Sequence, residues 1–227
     1  MRTRAFHPRA AALAAAISLA AISGPVQAYD HDDRGDGISD EAFLEIARDS
    51  FYYEKEAHFQ RLVDPTLATC NATHDRPDAE QSAAILERER EAIVYPEDGE
   101  LMGDWERGKQ WSEDVHGGRI GYPGFADADD PSHANGANCY ACHAIDPGFP
   151  QAGNMGPPLT GYGRMRGQSE RIVKYTYDKI YNSKASVPCS LMPRYGGEDH
   201  LLTPEQVADL VAFLLDPESP VNRETDD

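Results

Sequence analysis

The chain is poor in positive charge: 21 Lys and Arg stand against 39 Asp and Glu, a formal net charge of −18. A basic footprint for nucleic acid is missing, so binding to that polyanion is excluded as a function class. Long apolar runs are missing too. Ala10–Ile22 is apolar, and no later segment stays apolar long enough to cross a bilayer. Cysteine is scarce, at four residues in 227, and each of the four has to be accounted for.

The one apolar run has its own explanation. Arg2, Arg4 and Arg9 precede it, Ser23-Gly24-Pro25 breaks it, and Val26-Gln27-Ala28 offers small residues for cleavage before Tyr29. Residues 1–28 read as a secretory signal peptide, too short and wrongly flanked for a membrane span. The mature protein is expected to be soluble and exported, in a bacterium to the periplasm. Removing the leader takes away three arginines and no acid, which moves the formal charge from −18 to −21.

Two of the cysteines lie in Cys139-Tyr140-Ala141-Cys142-His143, the spacing of a c-type haem attachment site. Cys139 and Cys142 can add across the two haem vinyl groups, and His143 can reach the iron as proximal ligand. A zinc half-site would need further ligands at suitable spacing, and a thioredoxin-like pair would follow a strand. Neither context is present. The other two, Cys70 and Cys189, can pair in an oxidising compartment or remain as buried free thiols.

In chain order, residues 29–37 are polar and read as a flexible lead-in. Ser39 or Asp40 caps a helical pattern through Phe43, Ile46, Ala47 and Phe51, which runs to about Leu62 and ends at Asp64-Pro65. A second helix is expected from about Pro77 to Val94, with Ala83, Ala84, Leu86 and Ile93 apolar. Together they make an acidic helical extension at 29–98, with 19 acids against 7 bases. It is either a solvated decoration packed on the core or a docking element. Residues 99–227 then form a second domain. Trp105, Gly108 and Trp111 fall on one face of its first helix, Glu100–Ser112, where Gly108 can permit a close crossing. A long Gly-, Asp- and Pro-rich loop occupies 116–136. Ser169–Tyr181 is helical, burying Ile172, Val173, Tyr177 and Ile180. The last helix opens with Thr203 as N-cap, Pro204 at the first position and Gln206 completing a capping box. Its apolar stripe is Val207, Leu210, Val211 and Leu214.

Two further residues complete the expected site. In the Gly- and Pro-rich stretch 147–163, the Pro157 carbonyl is the acceptor expected for the second ring N–H of His143. A low-spin haem needs a sixth ligand, and Met192 is 49 residues beyond His143, enough chain to reach the opposite face. Met102, Met155 and Met165 are the other methionines offered, and His116, His133 and His200 the histidines. From Arg164 to Arg194 seven bases face only Glu170 and Asp178, a local +5 expected to draw an acidic partner or an anionic substrate.

The runs Gly-Asn-Met-Gly-Pro-Pro-Leu-Thr-Gly-Tyr-Gly, Met-Pro-Arg-Tyr-Gly and Leu-Thr-Pro-Glu-Gln-Val-Ala to Asp-Pro-Glu-Ser-Pro-Val-Asn make the chain resemble SoxX over roughly 99–222. SoxX is the monohaem cytochrome subunit of the SoxAX complex of sulfur oxidation. The resemblance implies an all-α, class I cytochrome c-like fold around one covalently bound haem c. It matches Cys139, Cys142 and His143 to the family's haem positions and Met192 to its distal ligand. It also implies a SoxA-like partner that holds the catalytic haem of an L-cysteine S-thiosulfotransferase, a SoxYZ-like carrier of thiosulfate and a small soluble cytochrome c acceptor. No catalytic residue is then expected in this chain. The 29–98 extension and the 116–136 insertion depart from the family pattern. The reading from another class is a stand-alone cytochrome c shuttle in a respiratory chain; a haem-based sensor, with an open sixth position, is a third.

Overall fold

Four of the α-helix starts among the described residues are set by side-chain caps. The computed structural model describes residues 40–50, 59, 63–115, 136–149, 151–197 and 201–223, and no strand occurs among them. The expected signal peptide lies outside the described residues. So do the 116–136 loop apart from Gly136, most of residues 51–62, and His116, His133 and His200. Glu41–Asp227 forms one compact unit. Among the described residues no helix is long and apolar enough to cross a membrane.

Three helices of the extension lie wholly among the described residues, and Phe59 and Val63 are helical as well. The first, α1 (Asp40–Ser50), buries Ala47 but leaves Phe43 and Ile46 exposed, unlike the stripe expected from its spacing. Asp64-Pro65 is the expected stop, since Val63 is helical and Asp64 is not, and it is also a start. The Asp64 side chain accepts the Leu67 N–H, Pro65 takes the first helical position, and α2 runs Pro65–Ala72. Proline is pre-shaped for that position because its missing N–H has no partner there anyway. In α3 (Ala79–Glu91) Asp78 and Gln81 form a reciprocal capping box. Its buried residues are Ile85 and Glu89, while the apolar Ala83 and Ala84 face solvent. The helix is turned so that a carboxylate goes inward. An intramolecular partner must answer for that, and it is described below.

Beyond the extension, the chain is built on the crossing of α4 (Trp105–Glu113) with the last helix, α7 (Pro204–Leu215). Between them come the short α5 (Tyr162–Arg166) and α6 (Glu170–Tyr181). Every residue of α7 from Val207 to Leu215 is buried. The expected stripe therefore understates a helix enclosed on all sides, and it omits Asp209. A side chain at Gly108 would put its Cβ 2.0 Å from the Asp209 carbonyl oxygen, so only glycine permits this crossing. Gly103 N–H donates to the Ala208 carbonyl at 3.0 Å. The Asp209 carboxylate accepts from Asp104 N–H, Arg107 Nε and Nη2, and Trp111 Nε1 at 2.8–3.1 Å. Four donors fill a carboxylate's accepting capacity, which is why this acid can sit in the core.

Candidate haem site

Cys139–Ala141 is a single 3₁₀ turn, and Cys142 closes it with its N–H on the Cys139 carbonyl. His143 N–H reaches the same oxygen at 3.0 Å. The turn thus presents two thiols and an imidazole from five consecutive residues. Neither thiol is in a disulfide. Burial, and secondarily the neighbouring Cys142, pushes the Cys139 thiol up to about 12. A redox-active pair needs a thiol that ionises readily, and this one does not. The zinc alternative fares no better. Among the described residues the one cluster at ligand spacing is Cys70, Asp75 and Cys189, and it shares no residue with the turn.

A loop is laid along the turn by backbone bonds. Gly153 N–H donates to Tyr140 O at 2.7 Å, Gly156 N–H to Cys142 O at 2.8 Å, and Leu159 N–H to Ala144 O at 2.7 Å. Two glycines make this approach possible. A Cβ at Gly153 would sit 2.0 Å from Ala141 O, and one at Gly156 would sit 2.2 Å from His143 Cε1. So placed, the loop brings the Pro157 carbonyl 2.7 Å from His143 Nδ1. A carbonyl only accepts, so Nδ1 carries the proton and the Nε2 lone pair is left to bind iron. The donor set and the glycine cradle both fit a c-type haem: two unpaired thiols, one imidazole with a fixed tautomer, and a backbone carbonyl orienting it.

The Met192 segment is tied to the chain just before the same turn. Tyr195, buried and three residues past Met192, donates its hydroxyl to Ala137 O at 2.9 Å, two residues before Cys139. Burial pushes the Tyr195 phenol well above its ordinary pKa, and the Cys139 and Cys142 sulfurs add to it. Met192 and Met102 are partly buried against the core, whereas Met155 and Met165 are 79% and 71% exposed.

Residues 182–194 hold what the sequence reading missed. Glu89 of α3 is buried, and Arg194 Nε and Nη2 fork onto its two oxygens at 3.0 and 2.7 Å. Arg194 Nη1 also pairs with Asp64, Thr66 donates to Glu89, and Asn182 Nδ2 donates to Glu89 at 2.8 Å. Burial alone would raise the Glu89 pKa; the hydrogen bonds from Arg194, Thr66 and Asn182, with the Arg194 charge, outweigh it and hold the carboxyl below its ordinary value. Cys70 and Cys189 are joined by a disulfide, closing the alternative of free thiols. The expected basic patch is dispersed. Arg194 is bound by two acids, Lys174 pairs with Asp178, and Lys184 is 6% exposed with its ammonium on the Ser190 carbonyl. A count of charges along the chain could not reveal that Lys184 and Arg194 are taken up internally.

Residues 132–216 match the cytochrome c family. Over 162 residues the chain is 39% identical to an uncharacterized lipoprotein of Aquifex aeolicus (strain VF5), covering 69% of this chain and 70% of that one. The crystal structure of SoxXA from P. pantotrophus aligns with 55% of this chain and 93% of its own at 21% identity. Its TM-score is 0.36, too low to establish a common fold. The protein thus belongs to one family with the Aquifex lipoprotein, and its residues 132–216 are a cytochrome c domain, the all-α electron-transfer kind that carries one covalently bound haem c.

Proposed function

We propose that the protein is a SoxX-like electron-transfer subunit, working in the periplasm beside a SoxA-like cytochrome. Oxidative coupling of thiosulfate to a cysteine of a SoxYZ-like carrier releases electrons at the partner's haem. This chain takes them up and hands them to a small soluble cytochrome c. When bound, the haem supplies a one-electron ferric–ferrous couple. The residues do the rest. Cys139 and Cys142 hold the ring covalently, and His143 offers Nε2 while the Pro157 carbonyl keeps its ring oriented. Met192 offers a thioether, a ligand that favours ferrous iron and raises the potential. The work falls to residues 99–227, with residues 29–98 as an extension and residues 1–28 as the export signal.

The observation that best supports this reading is how the three runs carrying the SoxX resemblance meet. Asn222, in the Pro-Val-Asn ending, accepts the Gly163 N–H at 2.8 Å and the Arg164 N–H at 3.2 Å. It donates to Leu214 O and Asp216 O at 3.0 and 2.8 Å. One buried amide ties the run after the haem turn to the end of the last helix. Tyr195 of the Met-Pro-Arg-Tyr-Gly run bonds back to Ala137, two residues before the haem turn.

Affinity purification of the exported protein from its native host tests the proposal, followed by a haem-reduction assay with thiosulfate. Co-purification of a second haem protein, with reduction that also requires a thiol carrier, is the expected result. A lone monomer that thiosulfate and carrier leave oxidised would reduce the reading to a stand-alone shuttle.

A further inference from the structure

The segment Cys189–Arg194 is fastened at both ends to the extension and in the middle to the cytochrome part. At its start Cys189 is crosslinked to Cys70 of α2. At its end Arg194 forks onto Glu89 of α3 and reaches Asp64, the cap of α2. An antiparallel bridge pairs Asn182 with Arg194, and the Asn182 amide also bonds the Glu89 backbone carbonyl at 3.1 Å. Between the ends, Ser183 Oγ donates to Met192 O at 2.5 Å and Lys184 Nζ to Ser190 O at 2.9 Å. Six residues with no helix or strand of their own are therefore set from outside. The fastenings cross sequence separations of 105 to 130 residues.

We propose that Glu89, acting through Arg194, and the Cys70–Cys189 crosslink are positioning elements for Met192: the extension holds the segment in the conformation that presents the thioether to the iron. This rests on Met192 being the distal ligand. Ligand occupancy in a flexible segment is discounted by the fraction of time the chain spends in the binding-competent conformation. Fixing both ends raises that fraction without touching the sulfur. The extension then belongs to the redox centre as a brace. Neither Glu89 nor the disulfide needs to contact the haem to set how often its sixth position is open.

The test uses the haem-loaded protein in the ferrous state and follows carbon monoxide, which binds the sixth position only when the thioether leaves. Wild type, Glu89→Gln, Cys70→Ser with Cys189→Ser, and Met192→Ala are compared, with far-UV circular dichroism to confirm folding. The expected result is slow binding in wild type and fast binding in Met192→Ala. The two brace variants should bind about tenfold faster than wild type while keeping wild-type helicity, as a lowered competent fraction requires. Should the double serine variant not fold, wild type treated with a dithiol reductant, its cleaved disulfide confirmed by alkylation and mass, takes its place. Brace variants that bind carbon monoxide as slowly as wild type, beside a fast Met192→Ala, would overturn the brace alone. A Met192→Ala protein as slow as wild type would instead overturn the ligand assignment beneath it, and the brace with it.

Discussion

The two sides of the proposed haem site are built in opposite ways. On the His143 side, everything is local: the thiols, the imidazole and the carbonyl that orients it lie within Cys139–Pro157, joined by backbone bonds. On the Met192 side, the segment is fixed by a disulfide spanning 119 residues and by side chains 105 and 130 residues away. A local loop closes at little entropic cost and can form as soon as the haem turn does. A segment fixed by distant partners keeps its shape only when the whole molecule is folded. The proximal side should therefore be robust to damage in the extension, and the distal side should not.

The most severe break removes what both sides share. Replacing Cys139 and Cys142 by alanine should abolish covalent haem attachment completely, read as loss of haem stain on a denaturing gel. Next in size, Cys70→Ser with Cys189→Ser should lower global stability by about 2–4 kcal/mol, the ordinary worth of a native disulfide, as measured by denaturant unfolding. That change should leave the covalent haem in place, which separates the distal fastening from attachment. Gly156→Ala sharpens the other side. Its Cβ would crowd the His143 ring at 2.2 Å, so a cost of about 1–3 kcal/mol and a displaced ring are expected. A shifted reduction potential, with carbon monoxide binding as slow as in wild type, would mark the damage as proximal.

The smallest effect is a pH dependence. The Glu89 carboxyl titrates below its ordinary value of 4.5 in the folded protein. A depressed carboxyl contributes stability that is fully present above the unfolded-state value. That stability is lost as pH falls through the folded one. Glu89→Gln should therefore unfold with a shallower dependence on pH below about 4.5, the unfolded value, than wild type does. Comparing slopes rather than absolute stabilities separates this titration from the lost pairing with Arg194.

The same contrast explains what could be read from the chain. Cys139, Cys142 and His143 announce themselves because their chemistry demands fixed spacing, and Pro157 lies close behind them. Thr203, Pro204 and Gln206 mark a helix start for the same reason, since capping acts within one turn. Asp64-Pro65 was legible as a helix end but not as the start it also makes, because one dipeptide can end a helix and cap the next. Glu89 and Asp209 were hidden by their type. A charged residue in a polar or apolar helix looks exposed until its partner is known, and Arg194 and Arg107 lie about a hundred residues away. Arg194, counted in the sequence as part of a surface patch, is in fact the hinge pin between the extension and the Met192 segment.

The most direct test of the two-sided site is a proton NMR spectrum of the reduced, haem-loaded protein. A methionine methyl held over the haem is shielded by the ring current, so a three-proton resonance should appear far upfield of the ordinary aliphatic region and vanish in Met192→Ala. An upfield methyl that survives Met192→Ala, or none in wild type, would contradict the distal half of the site.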